Sequence, residues 1–217
     1  AQLNMSTKIG VGLLGLGTVG KGVANILHSP KGRNPLVSEI NLIRAAVKDL
    51  NKHRNTSIPI SKITQDPLAV VEDPAIQIIV EVMGGIEPAR TLILRAIELG
   101  KSVVTANKAL IARHGDEIAE AANKSGVYVL IEAAVGGGIP IIEPLKQSLG
   151  GNRIKKVTGI INGTTNYILT RMKKDGSAYE SVLRDAQELG YAESDPTADV
   201  EGLDAADKIA ILSGLAF

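Results

Sequence analysis

The sequence predicts an α/β protein with a doubly wound parallel sheet, followed by a second, partial α/β domain. The first observation is that short apolar runs alternate with segments of helical periodicity as far as residue 131, which is typical of parallel sheets covered by helices. The second is a glycine-rich turn after the first apolar run, at residues 8–11. The predicted domains cover residues 5–136 and 137–217.

The glycine-rich turn reads Gly15-x-Gly17-x-x-Gly20, and it joins the predicted first strand to a helix. This is the pattern of a dinucleotide-binding (Rossmann) domain. Gly15 permits the tight turn, Gly17 leaves room for a pyrophosphate, and Gly20 lets the helix lie close to the strand. Thr18 and Val19 open the helix, where unpaired N–H groups favour phosphate. An ordinary strand–helix turn is the alternative interpretation.

Four further strands are expected in the first domain, and helical segments separate most of them. The strands are placed at residues 40–47, 76–82, 101–106 and 127–131, and the later helices at residues 86–99 and 109–125. Gly100 and Gly126 follow these two helices, and glycine is common just after the end of a helix. The segments 28–38 and 51–67 are expected to be irregular because they are polar and contain proline and glycine.

Two places in this domain indicate a bound cofactor. Gly84 follows the third predicted strand, at the end of a parallel sheet where cofactors bind. Lys48 follows the second, where an acidic partner for a ribose is usual, and it could bind a 2′-phosphate. Asp49 could instead hold the ribose, and Lys52 and Arg54 could be solvated loop charges. We favour NADP over NAD.

Composition narrows the classes of partner and compartment. The formal net charge of +1 gives no electrostatic reason to expect nucleic acid or a membrane as partner. The chain has no cysteine, which excludes disulfides and thiol nucleophiles within it and fits a reducing compartment. No apolar run approaches the roughly 18 residues of a membrane helix, and the N-terminus does not read as a signal peptide. We expect a cytoplasmic protein.

The pattern changes after residue 138. Helices are predicted at residues 139–149, 167–174 and 179–189 and from about residue 198, with a strand at 154–161. That strand would present an unpaired edge, which favours a homodimer that covers it. Residues 190–208 carry six carboxylates and one lysine. Asp204 and Lys208 lie four apart on one helix face, where an ordinary salt bridge is the simplest interpretation.

Six motifs, taken together, resemble the homoserine dehydrogenase family. They occupy residues 15–20, 81–85, 105–109, 132–140, 161–166 and 190–208. The resemblance implies a nucleotide domain and a substrate domain that dimerises. It also implies reversible reduction of L-aspartate 4-semialdehyde to L-homoserine with NAD(P)H, in threonine, methionine and isoleucine biosynthesis. Family chains run well past Phe217, and many add a regulatory domain, so this chain is expected to end within the substrate domain.

The resemblance also implies roles for individual residues. Hydride transfer to an aldehyde leaves an alkoxide that needs a proton and electrostatic stabilisation. Lys208 matches the favoured proton donor, and Lys108 matches a second catalytic or substrate-binding lysine beside the cofactor. Glu193, Asp199 and Asp204 match carboxylates that bind the amino-acid substrate.

A site for a monovalent cation such as Na⁺ is implied as well, built largely from backbone carbonyls. Its residues match Glu132, Val135, Gly137 and Ile139. A tight glycine turn would have the same composition, which is the alternative interpretation.

Other functions fit parts of the sequence. Dehydrogenases that form an acyl-enzyme need a thiolate, which this chain lacks. Sugar or inositol dehydrogenases share the glycine turn and a lysine near position 108, but they have no need of the acidic segment 190–208. A non-catalytic dinucleotide-binding fragment remains the third hypothesis.

Overall fold

A computed structural model describes residues 8–56 and 58–217, so Met5, the predicted start of the first domain, lies outside the described residues. The chain divides into two compact units, of which the first ends at Ala134 and the second spans Val135–Phe217. The predicted domain boundary between residues 136 and 137 falls just after this division.

The first unit contains a six-stranded, wholly parallel sheet. Its strands are β1 (Ile9–Leu14), β2 (Ile40–Ala46), β3 (Ile63–Thr64), β4 (Ile78–Glu81), β5 (Ser102–Thr105) and β6 (Val129–Leu130). Their order in space is β3-β2-β1-β4-β5-β6. Since the order reverses at β1, a crevice opens between the carboxyl ends of β1 and β4, where ligands bind in such folds. The predicted doubly wound sheet is confirmed.

Four helices accompany the sheet: α1 (Thr18–His28), α2 (Pro67–Val71), α3 (Ala89–Glu98) and α4 (Lys108–Ser125). Side chains alternate across β1, so its two faces are covered by different helices. Val11 and Leu13 share a buried cluster with Ala24 of α1. Gly12 points the other way, towards Val70 of α2. The core of the unit therefore lies on both faces of the sheet.

Within the segment 51–67, residues 60–66 are more ordered than the sequence predicts. They contain β3, which pairs with β2, and α2 follows immediately, with Asp66 as its N-cap accepting bonds from the N–H groups of Leu68 and Ala69. This strand has two residues and is flanked by Lys62, Gln65 and Asp66, so no apolar run marks it in the sequence.

The second unit consists of helices and loops. The helices are α5 (Gly163–Asp175), α6 (Tyr179–Glu188), α7 (Thr197–Val200) and α8 (Leu203–Ala216), preceded by a π-helical turn at Pro144–Ser148. Ile168, Val182, Ala186 and Ala192 form its buried cluster. The sequence predicts one final helix, but the left-handed backbone of Gly202 (φ +77°) separates α7 from α8.

The predicted strand at residues 154–161 is wrong. All residues from 135 to 217 are described and none forms a strand, so this segment has no strand within its unit to pair with. A strand needs such a partner for its backbone hydrogen bonds. The side chain of Ile160 is 76% exposed. Without a strand here there is no unpaired strand edge, so this segment no longer favours a homodimer.

The predicted helix at residues 139–149 is shorter than expected. Helical backbone begins only at Ile142, because a turn with left-handed glycines at Gly136 and Gly138 and then Pro140 occupy the preceding positions. Across the described residues, no helix reaches the length and apolarity that crossing a bilayer requires.

Candidate functional site

The three glycines of the first turn are required for different reasons. Gly15 has φ +103°, and a Cβ there would lie 2.8 Å from the carbonyl oxygen of Val82. A Cβ on Gly20 would lie 2.1 Å from the carbonyl oxygen of Gly15, so α1 can approach the strand end only without one. A Cβ on Gly17 would meet no atom within 4 Å. Steric clash therefore explains Gly15 and Gly20, whereas Gly17, the N-cap of α1, has room for a side chain.

A cavity of about 820 Å³ lies at the carboxyl ends of β1, β2 and β4 and includes Gly15, Gly17 and Thr18. Five basic side chains and one carboxylate line it: Lys21, Lys48, Lys52, His53, Arg54 and Glu87. Open space in front of Gly17 and this surplus of positive charge fit the phosphates of a dinucleotide.

Lys48 and Asp49 are placed differently with respect to this cavity. Lys48 is among its lining residues, whereas Asp49 is not. The Asp49 carboxylate accepts a bond from the backbone N–H of Asn51 at 2.8 Å instead. The geometry thus fits a phosphate at Lys48 better than a ribose at Asp49.

The remaining predicted cofactor residues lie around the same strand ends. Gly84 lines the cavity and has left-handed backbone (φ +75°). Gly20 is buried in α1, and the side chain of Val19 is 54% exposed beside the glycine turn; neither lines the cavity. Lys108, half-buried, is the first residue of α4, whose N-cap is Asn107. Like them, Lys108 is absent from the lining residues.

In the second unit, Lys208 and Asp204 form a tight ion pair. The Lys208 Nζ donates to Asp204 Oδ2 at 2.6 Å and to the carbonyl oxygen of Ile161 at 2.7 Å. Asp204 is 8% exposed, so this pair is screened far less than one at the surface. The spacing of four residues on α8 predicts the pair, but only the fold brings in Ile161.

Asn162 joins this pair to a second carboxylate. Its Nδ2 donates to Asp204 Oδ2 at 2.9 Å and to Asp199 Oδ1 at 2.7 Å. Its Oδ1 accepts from the backbone N–H of Thr165 at 2.8 Å, which makes Asn162 the N-cap of α5. Asn162 caps α5 at Gly163, four residues before the predicted start of this helix at residue 167. Its contacts with Asp199 and Asp204, 37 and 42 residues away, were missed because no local pattern encodes them.

These groups face a cavity of about 630 Å³ within the second unit. Its lining residues are Asn162, Gly163, Thr164, Tyr167, Gly190, Tyr191, Asp199, Asp204 and Lys208. An ammonium group that can give a proton and two carboxylates that can hold a cation therefore converge on one opening. This combination suits a small substrate with a positive charge and an oxygen to be protonated.

Glu193 is not brought to this cavity. Its residue is exposed, and its backbone carbonyl accepts a bond from Gln187 Nε2 at 3.1 Å. Of the three carboxylates proposed for substrate, the described structure groups Asp199 and Asp204 only.

The proposed cation-site residues lie in a turn-rich segment. Glu132 begins a short 3₁₀ helix that ends the first unit, and Val135, Gly137 and Ile139 follow in the second. The Ile139 N–H donates to the carbonyl oxygen of Gly136 at 2.7 Å, as in a tight turn. Among the described residues, no group of three or more His, Asp or Glu side chains could hold a metal. A site made of backbone carbonyls stays a prediction.

Models of known protein families match residues in both units of the chain. The family model "Homoserine dehydrogenase, NAD binding domain" matches residues 15–132, and the model "Homoserine dehydrogenase" matches residues 140–217. The homoserine dehydrogenase of Synechocystis sp. is 62% identical over 207 residues, which cover 95% of this chain and 48% of that protein.

Solved structures are similar over nearly all of this chain. A homoserine dehydrogenase from Thiobacillus denitrificans has a TM-score of 0.90 at 50% identity, covering 97% of this chain and 49% of that one. A hyperthermophilic archaeal homoserine dehydrogenase in complex with NADPH has a TM-score of 0.84 at 30% identity, covering 97% of this chain and 70% of that one. The chain spans about half the length of the curated relatives it matches.

Asn162→Asp tests the bridge between Asp199 and Asp204. The variant keeps an oxygen for the cap but loses both amide hydrogens and adds a third carboxylate. We expect the free energy of unfolding, from urea titration, to fall by about 2–4 kcal/mol near pH 7. Neighbouring like charges raise the pKa of the introduced carboxyl in the folded state, so the loss is small below about pH 4 and grows as the pH rises.

Asn162→Ala is the matched control, because it removes the same donor without adding charge. Its loss should grow less steeply with pH. Equal pH dependence in the two variants would show that position 162 does not face the two carboxylates.

Proposed function

Because this chain belongs to the homoserine dehydrogenase family, we propose that the protein interconverts L-aspartate 4-semialdehyde and L-homoserine with NADP(H). The observation that carries the proposal is the contact of Lys208 with Asp204, since both residues line one cavity together with Asp199. Lys208 would then be a proton donor beside carboxylates that can bind an ammonium.

A nicotinamide dinucleotide, when bound, supplies and accepts the hydride. Gly15, Gly17 and Thr18 would hold its pyrophosphate, with the start of α1 directed at the charge. Lys48 would hold a 2′-phosphate, supported by the neighbouring basic residues of the same cavity. These residues fit the group because a side chain at position 17 would enter space that the protein leaves open.

Lys208 would protonate the substrate oxygen as the carbonyl carbon is reduced. Its Nζ, held by Asp204 and the carbonyl oxygen of Ile161, gives one proton to the nascent alkoxide, which becomes the hydroxyl of homoserine. In the reverse direction the neutral amine takes that proton back. The fixed donor also stabilises the negative charge as it develops.

The carboxylates of Asp204 and Asp199 would have different roles. Asp204 lies against Lys208 and Asn162, and it would keep the lysine directed at the cavity. Asp199 accepts a bond from Asn162 through Oδ1, and its carboxylate would bind the substrate ammonium.

Lys108 remains a candidate second lysine for substrate or cofactor. Glu193, a monovalent cation and a homodimer stay predictions that rest on the resemblance, and a cytoplasmic location stays one that rests on composition.

Replacing Lys208 tests the proposed proton donor in the complete gene product. Oxidation of homoserine, followed by the absorbance of the reduced nicotinamide, should occur in the parent, and Lys208→Ala should lower kcat by roughly 10²- to 10⁴-fold. The affinity for NADPH should hardly change, because the residues that line the dinucleotide cavity all belong to the first unit.

Lys173→Ala, an exposed lysine of α5, is the control and should keep normal turnover. If Lys208→Ala also keeps near-normal turnover, the proton donor is assigned wrongly and Lys108 becomes the candidate. Absence of turnover in the parent would refute the proposed activity itself.

Replacing Lys48 tests the preference for NADP. We expect NADPH to bind more tightly than NADH, and Lys48→Ala to reduce that ratio by about tenfold, since one charge-assisted bond to phosphate is lost. Fluorescence titration with both cofactors measures the ratio. Lys124→Ala, an exposed lysine at the end of α4, should leave it unchanged. Equal affinities for the two cofactors in the parent would remove the argument.

A further inference from the structure

Glu81, the last residue of β4, carries a fully buried carboxylate (0% exposed). Its Oε1 accepts bonds from the backbone N–H groups of Met83 at 2.8 Å and Gly84 at 3.2 Å. Its Oε2 accepts from the hydroxyl of Thr105, at the end of the neighbouring β5, at 2.7 Å. The carboxylate therefore joins the ends of two adjacent strands to the loop that follows β4.

Thr105 and Asn107 extend these contacts to helix α4. The Thr105 Oγ1 accepts from the backbone N–H of Asn107 at 3.0 Å, and the Asn107 Nδ2 donates to the carbonyl oxygen of Gly85 at 2.6 Å. The Asn107 Oδ1 caps α4 by accepting from the N–H of Leu110 at 3.2 Å. The chain of bonds closes on the same loop, at residues 83–85, from which it began.

Stability alone does not account for a carboxylate in this position. Removing a carboxylate from water costs several kcal/mol, which hydrogen bonds only partly offset, and an apolar side chain of similar volume is often at least as stable. Both neighbours of Glu81 across the sheet lie in apolar strands, with Leu14 on β1 and Thr105 on β5 as its register partners. An apolar side chain could not accept hydrogen bonds from the loop N–H groups and from the hydroxyl of Thr105.

The two segments that Glu81 holds together both carry proposed function. Met83 and Gly84 line the dinucleotide cavity, whereas Glu81 itself does not. Asn107 directly precedes Lys108, the first residue of α4. A shift of the loop would change the position of the cofactor, and a shift of the start of α4 would change the position of Lys108.

We infer that Glu81 is a positioning residue that, through Thr105 and Asn107, holds the cofactor loop at residues 83–85 and the start of α4 in one fixed geometry. It acts on the reaction without touching substrate or cofactor. The inference rests on the proposed function for its effect on turnover, but its effect on dinucleotide binding does not depend on the identity of the substrate.

Thr105→Val tests the link in the complete gene product. Valine has the shape of threonine but lacks the hydroxyl, so Glu81 loses a donor and the Asn107 N–H loses its acceptor. We expect the NADPH Kd to rise and kcat for homoserine oxidation to fall, each by about tenfold to a hundredfold, because small displacements of reacting groups have effects of this size. The KM for homoserine should change less.

Thr105→Ser and an exposed threonine provide the controls. Serine restores the hydroxyl, so Thr105→Ser should return both the NADPH Kd and kcat to within about threefold of the parent. Thr170→Val makes the same substitution at an exposed position of α5 and should change neither. A role in packing alone would move the melting temperature but leave the NADPH Kd and the kcat of the folded protein unchanged.

Glu81→Gln is the second variant, with Glu120→Gln on the exposed face of α4 as its control. Glutamine cannot accept bonds from both the loop N–H groups and Thr105, so the NADPH Kd should again rise about tenfold or more.

If Thr105→Val does not fold, the NADPH Kd of Glu81→Gln tests the inference in its place. NADPH Kd values within about threefold of the parent for the folded variants would overturn the inference. If the parent does not oxidise homoserine, the proposed function fails, and the NADPH series still decides the role of Glu81.

Discussion

The close approach of helix α1 to the ends of β1 and β4 is the constraint on which the dinucleotide cavity depends. At Gly20 a single added carbon would lie 2.1 Å from the carbonyl oxygen of Gly15 and 3.3 Å from the side chain of Val82. This contact directs the start of α1 at the crevice where the strand order reverses. Because the ends of parallel strands share one edge of the sheet, the loops after β1, β2 and β4 then line the same cavity.

An asparagine that caps a helix fixes the surroundings of each candidate lysine. Asn107 caps α4, which begins at Lys108, and its amide also binds the loop after β4. Asn162 caps α5, and its amide bridges Asp199 to Asp204, the partner of Lys208. An amide is neutral and offers donors and an acceptor at once, so it can hold a carboxylate or carbonyl while it satisfies a helix end. Lys108 directly follows one of these caps, and Lys208 donates to the carbonyl oxygen of Ile161, just before the other.

The sequence predicts the features of the fold and the site that a local pattern encodes. The glycine turn, the apolar strands and the glycines after α3 and α4 have short-range signatures, and the pairing of Asp204 with Lys208 follows from their spacing. The bridge made by Asn162 spans up to 42 residues and has no local signature. The strand expected at residues 154–161 failed for the related reason that pairing is non-local, since apolar alternation cannot supply a partner. Strand β3 was missed because its two residues lie in a polar segment, whereas β6, which is equally short, lies within the apolar run 127–131.

We infer that a bound dinucleotide requires glycine at position 17, whereas the fold tolerates a side chain there. Gly17→Ala tests it most directly, since the added carbon would meet no protein atom within 4 Å. Measured together, the free energy of unfolding should fall by no more than about 1 kcal/mol, because alanine replaces glycine at the N-cap of α1, while the NADPH Kd should rise at least about tenfold. Gly22→Ala, one turn along α1 and equally open, should leave the Kd unchanged. A Gly17→Ala variant that is stable and binds NADPH as tightly as the parent would contradict the account.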